Sequence, residues 1–308
     1  MTVQIYAHRG SSAAFAEHTR AAYLQALADG ADGVECDLHL TADGELVLLH
    51  DDDVGRTSSG SGPVASQTLA QLRELDFCSW HGSEIPAEFG GSSEQLLTLP
   101  ELLEILDGAG RDVGLAIEFK YGASFSPQLI EKTLETLRNH GWNPESSTTG
   151  RVLVSFMSFH PSAVKYLSER VPSDHLCQLL EQVDIEDVKE ELEVGAIAGH
   201  TVAFLMRRAM AEGEKLVNDG VAHLAGPGVE YLRANPGNAA TWVRKGRALR
   251  VWTVDTPEDL TLCLAAGVTQ VTTNKPREIR ELLASSLASW QVVEQPGSGL
   301  LTEGLDAM

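Results

Sequence analysis

Val3-Gln4-Ile5-Tyr6-Ala7-His8-Arg9-Gly10 is a short apolar run that breaks off into a histidine, an arginine and a glycine. Its length and composition predict a buried strand with a polar end. Residues 19–27 follow with apolar side chains at helical spacing, and Gly30 is placed to stop the helix. Residues 34–40 are a second strand-like run. Strand, helix and strand in this order form a parallel βαβ unit, and the rhythm continues to the end of the chain. Further strands are predicted at 113–119, 152–156, 176–180, 221–225, 249–254 and 268–273, with helices at 129–137 and 161–167. The expected fold is an α/β TIM (β/α)8 barrel. Residues 46–49 make a ninth strand candidate for eight places, and 221–225 is the weakest of the nine. The link through Ala42-Asp43-Gly44 is too short for a crossover helix, so it is a hairpin or an extended return.

A single barrel domain is expected over residues 1–290, with an inserted loop or small subdomain at 51–99 after the third strand. That stretch is rich in Gly and Ser, including Ser58-Ser59-Gly60-Ser61-Gly62-Pro63. Residues 291–308, with Pro296-Gly297-Ser298-Gly299, are expected to be a flexible tail.

Composition removes several function classes. The 308 residues carry 23 Lys and Arg against 44 Asp and Glu, a net charge of −21. Nucleic acid and anionic membrane surfaces are repelled by such a chain. An apolar content of 43% is enough for a large core. Cys36, Cys78, Cys177 and Cys263 form no CxxC pair. The first ten residues lack a basic segment leading into a long apolar one, and no run reaches the length of a spanning helix. A reduced cytoplasmic protein without a stable membrane anchor is expected.

The chemistry-bearing residues gather at strand ends. Glu35 and Asp37 share one face of their strand because side chains alternate, and Cys36 faces the other way. Glu118 and Lys120 repeat the arrangement, and His50-Asp51 closes the run at 46–49. In a TIM barrel the C-terminal strand ends open on one mouth. His8, Arg9, Glu35, Asp37, His50, Glu118 and Lys120 would then surround one pocket. Three carboxylates suit one hard divalent cation, Mg²⁺ or Ca²⁺. Two histidines suit acid–base work, and Arg9 and Lys120 can hold an anionic oxygen. Together they describe phosphoryl chemistry.

The ordered blocks also carry a family resemblance. His8-Arg9-Gly10, Ala16-Glu17-His18-Thr19, Glu35-Cys36-Asp37, Thr41-Ala42-Asp43-Gly44, His50-Asp51 and Arg56-Thr57 come first. Thr98-Leu99-Pro100-Glu101, Glu118-Phe119-Lys120, Ser158-Phe159, Val251-Trp252-Thr253-Val254 and Thr273-Asn274-Lys275-Pro276 follow. From about Ile5 to Leu283 the chain resembles the glycerophosphodiester phosphodiesterases. The resemblance implies metal-dependent hydrolysis of a small glycerophosphodiester to sn-glycerol 3-phosphate and an alcohol. It implies His8 and His50 as the acid–base pair, and Glu35, Asp37 and Glu118 as metal ligands. It implies Arg9 and Lys120 as phosphate contacts, and Trp252 with Phe156 or Phe159 as lining of the mouth. Glu17 is read as a brace for Arg9, a metal ligand or a direct participant, Asp51 as an orienter of His50 or a loop cap, and His18 as a solvent-facing helix start, with a third pocket histidine as the alternative. Ala16, His18, Asp255-Thr256 and Asn274 depart from the usual pattern without removing a residue expected to act on phosphorus. The competing readings are a phospholipase D-like or lysophospholipid phosphodiesterase, and a catalytically silent phosphoester-binding barrel.

Overall fold

The computed structural model describes residues 3–121, 124–186 and 196–293. Ten strands belong to one sheet. They are β1 (Gln4–Ala7), β2 (Gly33–Leu40), β3 (Leu46–Leu48), β4 (Val113–Phe119), β5 (Thr148–Thr149), β6 (Val152–Ser158), β7 (Leu176–Leu180), β8 (Leu224–Pro227), β9 (Ala248–Val251) and β10 (Gln270–Thr273). All neighbouring pairs are parallel except β3 on β2 and β5 on β6. The remaining eight strands run β1-β10-β9-β8-β7-β6-β4-β2, and β2 pairs back onto β1. The sheet is therefore a closed parallel barrel, the expected TIM architecture.

The surplus strand is not the one the sequence marked as weakest. The stretch at 221–225 does supply a barrel strand, shifted to Leu224–Pro227. The extra member is residues 46–49: β3 folds back on β2 as a hairpin, with Leu38 opposite Leu48 and Leu40 opposite Leu46. Gly44 turns this hairpin at φ 80°, a conformation that a side chain disfavours. Leu224-Ala225-Gly226-Pro227 is short and poor in β-branched residues, so local propensity marks it weakly. Its burial between β7 and β9 decides its conformation.

Helices cover the outside of the barrel. α1 (Arg20–Ala28) starts on Thr19, whose hydroxyl accepts the Ala22 N–H, and Gly30 ends the turn at φ 77°. α2 (Leu99–Asp107) starts on a capping box between Thr98 and Glu101. Leu102, Leu106, Ile117, Phe119, Leu134, Val154 and Phe156 form part of the large core between barrel and helices. A smaller cluster of Tyr6, Ala116, Met157, Cys177, Leu179 and Leu224 fills the barrel interior. Between His50 and Thr98 the chain makes short helical turns around its own core of Val54, Val64, Leu72, Phe77 and Leu96. The last helix runs Pro276–Val293, so residues 291–293 of the expected tail are helical, and 294–308 lie outside the described residues.

Candidate active site

The chain leaves β1 through His8-Arg9-Gly10 and turns sharply. Arg9 is held at φ 57°, and its N–H donates to Glu35 Oε2 at 3.0 Å. Gly10 follows at φ 84°, where a Cβ would lie 2.6 Å from the Ala22 carbonyl carbon. Only glycine fits that approach, so α1 packs tightly under the site. Strained left-handed residues such as Arg9 are sustained where the surroundings over-determine them.

β2 and β4 present their carboxylates in register, Asp37 beside Glu118. One oxygen each from Glu35, Asp37 and Glu118 lies within 4.8 Å of the others, and all three residues are buried. Glu35 Oε1 is buried without a hydrogen-bond partner. Asp37 Oδ1 and Glu118 Oε1 face the Lys120 ammonium at 3.3 and 2.8 Å. Arg9 Nε lies 3.2 Å from Asp37 Oδ2. Burial pushes the Glu118 carboxyl up to about 7 against the pull of Lys120, and burial with Asp37 and Glu118 beside it raises Glu35. Asp37 is held below the usual carboxylate range: Lys120, His18 and Arg9 outweigh its burial. Three buried carboxylates crowded this closely, one with an orphaned oxygen, form a donor set that fits a hard divalent cation.

A cavity of about 280 Å³ opens above them, lined by His8, Arg9, Glu35, His50, Glu118, Lys120, Phe159 and Trp252 among others. His8 Nδ1 lies 2.8 Å from Asn274 Oδ1, and His50 Nδ1 lies 2.6 Å from Asp51 Oδ1. Burial and the Arg9 charge lower His8 to about 4, and burial and Lys120 lower His50 from its ordinary value. Trp252 meets Phe159 edge-on at 5.4 Å and donates its indole N–H to Gly226 O. A larger open groove of about 560 Å³ between the β2–β3 turn and α3 (Gln128–Asn139) gathers no comparable set of groups.

Two residues sit where the sequence did not place them. Phe156 does not reach the mouth: it is fully buried on the outer side of β6, stacked on Phe119 at 6.0 Å. Side-chain alternation explains this, because Ser155 and Met157 face the barrel interior and contact Arg250 there. Of the two phenylalanines considered, Phe159 is the one at the cavity. His18 is not at the surface either. It is buried, with Nε2 2.9 Å from Asp37 Oδ2 and Nδ1 2.8 Å from Tyr23 Oη. Its φ of 61° carries the ring inward, a backbone state that residue type alone does not announce.

Other members were not singled out from the sequence as pocket residues. Arg250 is 2% exposed and crosses the barrel, donating to Gln270 Oε1 at 2.7 Å and Ser155 Oγ at 3.0 Å. Its guanidinium lies 4.3 Å above the Tyr6 ring, and it forms part of the cavity floor. The signal was a lone charge inside an apolar strand, on the same face as Trp252. Arg56 donates to both Glu17 and Asp51. Glu17 in turn accepts from Arg9 Nη1 at 3.0 Å, so it braces the arginine.

Comparison with known proteins agrees with this geometry. The model of the glycerophosphoryl diester phosphodiesterase family matches residues 8–278. A Mycobacterium tuberculosis (strain H37Rv) protein named "Probable glycerophosphodiester phosphodiesterase 1" is 36% identical over 287 residues, 92% of this chain and 94% of that one. A glycerophosphodiester phosphodiesterase of Bacillus subtilis (strain 168) is 30% identical over 272 residues, 88% of this chain and 83% of its own length. Among solved structures, an Oleispira antarctica phosphodiesterase in complex with the product sn-glycerol-3-phosphate shares the fold. Its TM-score is 0.69 at 23% identity, over 92% of this chain and 97% of that one. With the family model spanning most of its length and two such relatives, the chain belongs to the glycerophosphoryl diester phosphodiesterase family.

Proposed function

We propose that this phosphodiesterase cleaves small glycerophosphodiesters to sn-glycerol 3-phosphate and an alcohol, with His8 as base and His50 as acid. The observation that carries the reading is the single cavity lined by both histidines, by Arg9 and Lys120, and by Glu35 and Glu118 of the carboxylate triad. Glu35, Asp37 and Glu118 would hold one divalent cation, Mg²⁺ or Ca²⁺. Such an ion, when bound, supplies Lewis-acid charge to the phosphoryl oxygens.

The protein's own groups supply the rest. Arg9 and Lys120 hold the non-bridging oxygens as negative charge grows on them. Among the described residues neither His8 Nε2 nor His50 Nε2 takes a protein hydrogen bond, so both ring edges are available to substrate. The attacking oxygen, from water or from the glycerol hydroxyl beside the phosphate, loses its proton to His8 Nε2 as it bonds to phosphorus. The bond from phosphorus to the leaving oxygen breaks as His50 donates a proton to that oxygen; where the glycerol hydroxyl attacks, the product of this step is a cyclic phosphodiester, which water then opens to glycerol 3-phosphate with the two histidines in exchanged roles. Each transfer contributes about 10²–10⁴-fold in rate. Trp252 and Phe159 offer perpendicular apolar walls to the carbon skeleton.

A small soluble diester suits the site better than a bilayer lipid or a polyanion. The cavity holds about 280 Å³, and the net charge of −21 disfavours polyanions at long range. Among the described residues no helix is long and apolar enough to cross a membrane. The four buried free cysteines suit a reducing compartment such as the cytoplasm. The test is ³¹P NMR of a panel: glycerophosphocholine, glycerophosphoethanolamine, lysophosphatidylcholine and a dinucleotide. The expected result is glycerol 3-phosphate from the first two and little from the others. Preferred turnover of lysophosphatidylcholine contradicts the substrate class.

A further inference from the structure

We propose that Asp255 and Asn274 are a positioning pair that holds His8 as its Nδ1–H tautomer and so presents a bare Nε2 to the cavity. The inference rests on the reading of His8 as the base. The pair lies behind the histidine, away from the carboxylate triad. Asp255 follows β9, and Asn274 follows β10.

The hydrogen bonds leave one consistent assignment. The Asp255 carboxylate takes the Asn274 main-chain N–H at 2.9 Å and the Thr273 hydroxyl at 2.8 Å on Oδ1. Its Oδ2 lies 2.5 Å from Asn274 Nδ2. A carboxylate only accepts, so the amide must turn its NH₂ toward Asp255. That aims Asn274 Oδ1 at His8 Nδ1, 2.8 Å away. An amide oxygen also only accepts, so His8 must carry its proton on Nδ1. A neutral imidazole has a single ring proton, and Nε2 is therefore left as the acceptor. The Ser12 hydroxyl stands 2.7 Å from Asn274 Oδ1 and 2.8 Å from His8 O, pinning the same edge from the third side.

The partner's charge matters as much as its orientation. His8 is met by a neutral amide, and the Asp255 carboxylate stands one residue behind it. His50 is met directly by the Asp51 carboxylate, which favours an imidazolium. Burial lowers both rings, but the group at Nδ1 differs: a neutral amide at His8, and at His50 a carboxylate that works against the lowering. The charged or titratable groups that act on His8 most strongly are Arg9 on the same turn, Asp37 from β2 and His18 ahead of α1, and Glu35, His50, Glu118, Lys120, Glu181 and Arg250 line the same cavity.

The test uses the full chain with ¹⁵N-labelled histidine, free of metal and substrate, with His8 assigned by its loss in H8N. Long-range ¹H–¹⁵N spectra should show His8 protonated at Nδ1 and bare at Nε2. In N274A the ring should sample both tautomers and kcat should fall about tenfold with KM held within about twofold, the range seen when an outer partner of a histidine is removed. In N274D a carboxylate meets Nδ1, so the acid limb of the kcat/KM profile should move up by about one pH unit. The double variant D255N/N274D should keep the Nδ1–H tautomer, because the amide at position 255 then donates to a carboxylate at position 274 that still accepts from His8. A wild-type His8 protonated at Nε2, or N274A with wild-type spectra and rates, overturns the pair. The spectra need no turnover. A wild type inactive on glycerophosphocholine therefore refutes the phosphodiester reading alone, and a wrong tautomer in an active enzyme refutes the pair alone.

Discussion

His18 donates to Asp37: its Nε2 lies 2.9 Å from Asp37 Oδ2, and both side chains are buried. Because the carboxylate accepts only, the ring carries a proton on Nε2, and Nδ1 lies 2.8 Å from the Tyr23 hydroxyl, which itself donates to Glu35 O at 3.1 Å. Asp37 Oδ2 is thereby held between His18 and Arg9, and Oδ1 faces Lys120. H18A removes this support and should weaken Mg²⁺ or Ca²⁺ binding about 10–100-fold. H18Q, which keeps a donor, should lose less. Titration calorimetry reads both, and unchanged affinity in H18A sinks the role.

Arg56 joins two parts of the mouth. It donates to Glu17, which braces Arg9, and to Asp51, which touches His50. Arg56 is 46% exposed, so its ion pairs add little stability, about 1 kcal/mol at most. Their effect should appear in catalysis: R56A is expected to lower kcat roughly tenfold. R56K should not rescue it, because an ammonium cannot span both carboxylates in one plane. Steady-state rates decide this, and full rescue by lysine contradicts it.

Acidification should remove the contribution of His8 to stability, against an opposite gain from Glu118, raised to about 7, and from Glu35 in the metal-free protein. Its folded value is lowered to about 4, chiefly by burial, from an ordinary 6.5. Between these values the unfolded chain binds the proton and the folded one does not. The contribution of His8 is therefore complete above about 6.5 and is lost as pH falls toward 4. The gap corresponds to about 1–3 kcal/mol once solvent at the mouth is allowed for. Glu17 and Asp51, both lowered to about 2 by partners that outweigh burial, add a further loss below pH 4.5. Urea unfolding of metal-free protein should show wild type losing stability relative to H8N from pH 7 to 4. Parallel curves for H8N and wild type are the contrary result.

Phe156 and Trp252 separate core from mouth. F156A empties a fully buried site beside Phe119 and Trp142, and should cost about 3–5 kcal/mol with KM unchanged. W252A removes a cavity wall and should raise KM roughly tenfold. Denaturation and kinetics on both variants check this, and a larger KM effect in F156A reverses the assignment.

These positions also mark how far the sequence could be read. Strand alternation placed Glu35, Asp37, Glu118 and Lys120 on one face, and β2 and β4 deliver them so. The barrel was legible because its strands alternate with helices, whereas β8 was faint because its four residues rely on neighbours for their conformation. Phe156 was misplaced by one step of the period-two pattern, where Phe159 also competed. His18 and Arg250 were hidden for another reason. An inward turn at φ 61° and a long side chain crossing the barrel depend on packing that no local spacing encodes.

The most direct measurement is release of sn-glycerol 3-phosphate from glycerophosphocholine, with Mg²⁺ or Ca²⁺ and with chelator, by wild type, H8A and H50A. The account predicts turnover by wild type with metal, loss with chelator and recovery on adding metal back. It predicts a fall of at least about 10²-fold in either variant, with circular dichroism unchanged. Full activity in H8A or H50A, or turnover that chelator does not touch, contradicts it.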